Sequence, residues 1–135
     1  MKRPLFHLGL FLATCATTCF AYFNQLDDRL PVKDRLSDSV LFSFCVLLIL
    51  GSHEMGHYLM ARRHGVDSSL PYFIPFPFGF GTMGAVIRIR ARIPTRDALV
   101  DIGAAGPLAG LLVAVPLLVA GTVLSHPMPS PGAPD

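Results

Sequence analysis

The sequence is poor in charged residues. Only 15% of its 135 residues are Asp, Glu, Lys or Arg, whereas a soluble domain carries about 25%. Hydrophobic residues make up 52% of the chain, and the mean hydropathy is +0.53. This composition excludes a disordered chain, a nucleic-acid-binding arm and most soluble enzymes, and it indicates a lipid bilayer as the surroundings. The net charge of +2 is too small to imply nucleic acid or another polyanion as a partner.

Cysteine and glutamate are also scarce. The three cysteines, Cys15, Cys19 and Cys45, all lie within apolar runs, which argues against an extracellular disulfide framework. Glu54 is the only glutamate in the chain. At this length the chain forms one domain at most.

Three segments, 5–23, 40–62 and 102–124, are long and apolar enough to cross a membrane. A helix of about 20 residues rises roughly 30 Å, the thickness of the hydrocarbon core. A secretory signal is the alternative for the first segment, but its apolar run exceeds a typical signal core and so favours an anchor. We expect an all-α membrane protein with about three transmembrane helices. Its expected parts are an anchor and linker (1–38), a membrane domain (39–124) and a proline-rich tail (125–135).

The basic residues predict the orientation in the membrane. Lys2 and Arg3 precede the first span, and the link between the second and third spans contains more basic than acidic residues. Because cytoplasmic loops are rich in Lys and Arg, we expect a cytoplasmic N-terminus and a cytoplasmic second link. The expected location is a bacterial cell membrane, which the chain crosses several times. The arginines of the second link are Arg62, Arg63, Arg88, Arg90, Arg92 and Arg96.

The second span contains the sequence His53-Glu54-Met55-Gly56-His57, an HExxH pattern on a predicted helix. Histidines four residues apart lie on one helical face, so both imidazoles can reach one zinc ion. Glu54 lies beside them, where it can take a proton from a metal-bound water and later protonate the leaving amine. A pair of surface histidines is the alternative. The apolar span disfavours it, because ionisable residues within a membrane are energetically costly and usually functional.

A third zinc ligand is not evident near this motif. His64 lies about two turns beyond His57, roughly 10 Å along the helix axis, which is too far to share one metal. The downstream glutamate of another zinc-peptidase pattern has no counterpart, since the chain has no second glutamate. With two ligands only, we expect weak affinity for zinc.

The link between the second and third spans is predicted to be a short re-entrant or β-hairpin segment. Residues 70–81 are strongly apolar, but three prolines forbid a continuous helix. Residues 86–93 alternate apolar side chains with arginine, which is the period of a strand. Three interpretations fit: an ordinary solvated hairpin, an edge strand that pairs with an unwound substrate, and arginines that contact lipid headgroups.

The third span begins with small residues. Gly106 and Gly110 form a small-xxx-small pattern that lets two helices approach closely. We expect packing rather than a direct role at the metal, with this face available to lie against the HExxH helix.

Together these motifs resemble the site-2 protease family of intramembrane zinc metalloproteases, in particular its bacterial and chloroplast branch. The resemblance implies that His53 and His57 bind zinc (Zn2+) and that Glu54 is the general base. It covers residues 39–124, and besides the HExxH sequence it depends on the segments 81–85, 88–99 and 101–110. The substrate-binding candidates in the first of these segments are Gly81, Thr82 and Gly84.

In that family the third zinc ligand is an aspartate on a later transmembrane helix, within a Leu-Asp-Gly motif. No such motif occurs here, so the chain resembles the front half of the catalytic core. The family gives Asp97 and Asp101 no such role, and His126 falls at the far end of the third span from the basic link. The resemblance implies an intramembrane zinc metalloendopeptidase that hydrolyses membrane-spanning protein substrates. The alternative is a catalytically incomplete scaffold or substrate-binding module.

Overall fold

Three long helices dominate the computed structural model, which describes residues 4–125. Helix α1 runs Pro4–Phe23, α2 Val32–Arg63 and α3 Arg96–Leu124. Each is long and apolar enough to cross a membrane. The predicted class, three transmembrane helices with a small hairpin between the second and third, is confirmed. Residues 1–3 and 126–135, which include His126 and nearly all of the predicted tail, lie outside the described residues.

Two helices begin earlier than the apolar runs. Helix α2 starts directly after Pro31 and is continuous through residues 38 and 39, where the anchor was expected to give way to the membrane domain. Helix α3 starts after Thr95, whose side chain accepts a hydrogen bond from the Ala98 backbone N–H at 3.1 Å. Such a cap satisfies one of the free N–H groups of the first turn. Hydropathy marks the part of each helix that suits lipid, whereas capping and backbone hydrogen bonds set the ends.

Helices α2 and α3 pack more extensively than any other pair of described elements. Gly56 lies against Ala105 and Ala109, and a β-carbon at Gly56 would overlap them. The close approach explains why both helices carry small residues on these faces. Helix α1 packs on α2 around Ser43, whose hydroxyl shares a buried hydrogen bond with the hydroxyl of Thr18.

A two-stranded antiparallel hairpin separates α2 from α3. Strand β1 is Tyr72–Pro75 and strand β2 is Thr82–Val86, with Tyr72 opposite Val86 and Phe73 opposite Ala85. The strand predicted over 86–93 was therefore wrong in position, because β2 ends where it was expected to begin. Residues beyond Val86 contribute an isolated bridge, Ser68 with Ile89. The turn sets the register, since Gly79 and Gly81 adopt positive φ of 61° and 81°.

A small apolar core lies where the end of α2 meets the start of α3. It consists of Ala61, Val66 and Ile102, with Met60 and Ile93 packed against it. Most large apolar side chains of the helices instead face outward, as expected for surfaces that lipid covers. The core therefore holds together the end of the molecule next to the HExxH motif. We call this the basic end, because Arg62 and Arg63 end α2 there and Arg96 begins α3.

Candidate metal centre

His53 and His57 lie one turn apart on α2 and face the same point. Their rings meet edge to face with centroids 4.8 Å apart, and their Nε2 atoms are 3.1 Å apart. Two nitrogen ligands on one tetrahedral zinc, each about 2.0–2.1 Å from the metal, stand about 3.3 Å apart. The two imidazoles therefore fit a shared zinc ion.

Helix α3 fixes the proton on His57. The Nδ1 atom of His57 is 2.7 Å from the backbone carbonyl oxygen of Ile102. A carbonyl oxygen only accepts hydrogen bonds, so Nδ1 carries the hydrogen and donates it. The Nε2 atom of the neutral ring then has a free lone pair, which is the form that binds a metal.

Two glycines of α3 make room for the histidine rings. A β-carbon at Gly106 would overlap the imidazole of His57, and one at Gly110 would come within 3.4 Å of the His53 β-carbon. The structure confirms that the small-residue face of the third span packs against the HExxH helix. At Gly106 the absence of a side chain is required, since nothing larger fits under the ring.

Glu54, which lies on α2 next to His53, is buried. Only 7% of its surface is exposed, and its Oε1 atom lies 4.0 Å from Nε2 of His53. The carboxylate is close to the paired nitrogens without being interposed between them. This position suits proton transfer at the metal better than metal binding.

A cleft of about 330 Å³ opens beside Glu54 and His57. One wall comes from the last residue of β2 and the residues after it, and another comes from the start of α3. The predicted substrate contacts in the 81–85 segment do not line this cleft, whereas the 86–93 segment, for which pairing with a substrate was one of three interpretations, contributes the first wall. The other lining residues are Val86, Ile87, Ile89, Ile93, Leu99, Ile102 and Gly103.

The three predicted substrate-binding residues differ in their surroundings. Gly81 is buried against α1, where a β-carbon would overlap the backbone of Thr17 and Thr18. Thr82 stays within the hairpin, since its hydroxyl bonds the Ile74 carbonyl at 2.9 Å. Gly84 has φ of 105° and open space where a β-carbon would stand.

A pair of side chains closes the basic end of the site. Nε2 of His64 lies 2.9 Å from Oδ2 of Asp101, which joins the end of α2 to the start of α3. Sequence reasoning considered both residues only as metal ligands and missed their contact. Within residues 4–125, no group of three or more His, Cys, Asp or Glu side chains is arranged to hold a metal ion. The two converging imidazole nitrogens of His53 and His57 are therefore a pair of candidate ligands.

Comparison with known proteins gives a consistent result. Residues 41–129 match the family model described as Peptidase family M50. The "Probable zinc metalloprotease EGY2, chloroplastic" of Arabidopsis thaliana is 36% identical over 112 residues, which are 83% of this chain and 19% of that protein. The EGY2 protein of Oryza sativa subsp. indica is 38% identical over 66% of this chain and 16% of its own length.

The "Probable zinc metalloprotease EGY1, chloroplastic" of Arabidopsis thaliana is 41% identical over 62% of this chain and 15% of its own length. The chain therefore spans less than a fifth of these curated relatives. No solved structure matches the chain significantly.

Proposed function

The chain belongs to Peptidase family M50, and on that premise we propose that it carries the zinc-binding and proton-transferring part of an intramembrane metalloendopeptidase. One observation carries the proposal: the Nε2 atoms of His53 and His57 are 3.1 Å apart beside the buried carboxylate of Glu54, within a helix that is able to cross a membrane. The relatives' names, probable zinc metalloproteases, support both the metal and the reaction.

His53 and His57 are the residues that would hold zinc. When bound, zinc supplies Lewis-acid activation of a water molecule and of the peptide carbonyl. The chain's own contribution is orientation. The Ile102 carbonyl holds the hydrogen of His57 on Nδ1, and Gly106 leaves room for the ring. Both features keep the lone pair on Nε2 of His57 directed at the position where zinc would also meet Nε2 of His53.

Glu54 is the proton carrier of the proposed reaction. As water adds to the peptide carbonyl carbon, the carboxylate accepts a proton from that water. It then delivers the proton to the amide nitrogen as the C–N bond breaks, so that the products are a carboxylate and an amine. Burial of Glu54 among apolar groups excludes bulk water and strengthens its interaction with the reacting atoms.

The proposed substrates are membrane-spanning proteins, cut where they unwind. A protease needs an extended peptide, and an exposed strand edge binds one through backbone hydrogen bonds. Strand β2 is the element that leads into the cleft beside Glu54. We therefore place the extended substrate next to β2 and retain Gly84, which is open to a neighbouring chain, as a contact residue.

The proposed orientation puts the basic end of the molecule in the cytoplasm or its organellar equivalent. Arg62 and Arg63 end α2, Arg96 begins α3, and the start of α1 lies at the same end because His7 contacts Pro71. The packing of α1 on the hairpin supports the anchor interpretation of the first span. We propose a bacterial cell membrane as the location, whereas the named plant relatives are chloroplastic.

A substrate-binding scaffold is the second candidate function. The observation that favours it is the lack of a third metal-binding side chain beside His53 and His57 within residues 4–125. Such a chain would bind a spanning substrate in the cleft without hydrolysing it.

The test reconstitutes the chain in liposomes with a single-span substrate and measures both retention and cleavage. The protease proposal predicts cleavage that a chelator abolishes and added zinc restores. The scaffold predicts retention of the intact substrate, unchanged by chelator, and no cleavage. That second result would contradict the protease proposal for this chain.

A further inference from the structure

The hairpin lies lengthwise along α1. The first helix packs mainly on β1 and less on β2. His7, near the start of α1, contacts Pro71 and Tyr72, whereas Gln25, just beyond its end, contacts Gly79 at the turn. The contacts therefore follow the whole length of both elements. A helix that served only as a membrane anchor would not need contacts along its whole length.

Two side chains hold the turn through its backbone. The Thr17 hydroxyl donates to the Gly81 carbonyl oxygen at 2.7 Å, and the Gln25 side-chain amide donates to the Gly79 carbonyl oxygen at 2.6 Å. Threonine in a helix ordinarily bonds a carbonyl of its own preceding turn. Thr17 has such a contact with Thr14 at 3.2 Å, but its single hydroxyl hydrogen has the shorter path to Gly81.

Gly81 fits α1 in a way that no other residue can. It has φ of 81°, and a β-carbon there would overlap backbone atoms of Thr17 and Thr18. The presence of glycine at this position is thus explained by contact with α1 rather than by an open surface. The turn and the helix are matched in both backbone shape and hydrogen bonding.

Aromatic side chains fix the strand above the turn. The ring of Phe73 on β1 meets Phe11 of α1 edge to face, with centroids 5.2 Å apart. On its other side it faces Gly51 of α2, whose missing β-carbon would stand 3.7 Å from the ring. The ring of Phe73 therefore packs between α1 and α2, and it contacts α2 at Gly51, less than one helical turn before His53.

We infer that α1 positions the hairpin against the catalytic helix and so sets the width of the cleft, with Thr17 as a positioning residue. Phe73 pairs with Ala85, and the next two residues, Val86 at the end of β2 and Ile87 after it, line the same cleft as Glu54. A shift of the hairpin on α1 would move that wall relative to the carboxylate. The inference rests on the proposed function, and α1 lies before the segment 41–129 that matches the family.

The experiment compares Thr17→Val, Thr17→Ser and a matched control, Thr122→Val, in membrane-embedded protein. Valine keeps the shape of threonine but lacks the hydroxyl, whereas serine keeps the hydroxyl. Thr122 bonds only within its own helix, to the Val119 carbonyl, and is exposed. The first measurement is amide hydrogen exchange over residues 72–86, with the amides of α2 as the internal reference.

We expect amide exchange in the hairpin of Thr17→Val to rise about threefold, and by at most about 20-fold. These factors correspond to the average and the largest stabilisation found for a single side-chain hydrogen bond within a membrane. Thr17→Ser and Thr122→Val should exchange at the wild-type rate. In the cleavage assay, Thr17→Val should raise KM by a similar factor with a smaller change in kcat, and Thr17→Ser should restore KM.

Two results would overturn the inference: wild-type hairpin exchange in Thr17→Val, or faster exchange accompanied by an unchanged KM. Failure of the proposed function is distinguishable, because the exchange measurement does not need cleavage. Faster hairpin exchange in a protein whose wild type never cleaves would support the docking of the hairpin on α1 and contradict the protease instead.

Discussion

His57 donates the hydrogen on its Nδ1 atom to the carbonyl oxygen of Ile102 across 2.7 Å. One helix thereby dictates which nitrogen of a ring on another helix is free. The side chain of Ile102 belongs to the small apolar core, which holds this part of α3 and therefore the carbonyl that orients the ring. The proposed metal centre therefore depends on the α2–α3 interface as much as on the HExxH sequence.

A methyl group at Gly106 should weaken zinc binding. In Gly106→Ala the new β-carbon overlaps the His57 imidazole, so either the ring rotates away from His53 or α3 moves outward. Loss of a partner that orients a ligand typically lowers metal affinity about 10- to 100-fold. Zinc affinity measured by competition with a chromogenic chelator should fall by this factor.

Gly121→Ala is the matched control for that change, because it makes the same substitution in the same helix where nothing lies within 4 Å of the new atom. It should bind zinc like the wild type. Equal zinc affinity in Gly106→Ala and Gly121→Ala would contradict the role of Gly106 as the space beneath the ring.

His57 within α2 and His64 just after its end should differ sharply in their effect on bound metal. His57→Ala removes one of the two converging nitrogens and should abolish the zinc found by metal analysis of the purified protein. His64→Ala should keep the wild-type zinc content, because His64 bonds Asp101 at 2.9 Å rather than the HExxH pair. Zinc loss in His64→Ala alone would show that the metal lies beside His64 and Asp101 rather than at the HExxH pair.

The three spans and the paired histidines could be predicted because each depends on residues close together in the sequence. Long apolar runs and a four-residue spacing specify them without knowledge of the fold. The beginning of α3 carried a local signal too, the Thr95 cap. It was missed because hydropathy reports suitability for lipid and not the satisfaction of backbone groups.

The remaining features depend on contacts between distant segments. Thr17 meets Gly81 across 64 residues of sequence, and this pair leaves no periodic pattern. The small-xxx-small pattern predicted which face of α3 packs, but not that Gly106 lies beneath the ring of His57. The alternation of 86–93 pointed to a strand, but glycines at the turn placed the pairing earlier, over 72–75 and 82–86. Local sequence patterns do not reveal contacts or strand pairings of this kind, because they depend on how distant segments pack together.

The orientation is testable with cysteine labelling in a background without Cys15, Cys19 and Cys45. Ala91→Cys lies in the exposed basic link, and Asn24→Cys lies in the exposed link after α1. An impermeant maleimide should label these two variants from opposite sides of the membrane, with Ala91→Cys reached from the cytoplasmic side or its organellar equivalent. Labelling of both from the same side would contradict the predicted topology.

The central claim is that Glu54 moves the proton while His53 and His57 hold the metal. Glu54→Gln keeps the size of the side chain and removes its capacity to accept a proton. The decisive measurement is cleavage of a single-span substrate in liposomes by wild type and Glu54→Gln, with zinc content determined on the same samples. We predict equal zinc content and a rate lower by about 10²–10⁴-fold in the variant. Wild-type cleavage by zinc-loaded Glu54→Gln would contradict the account.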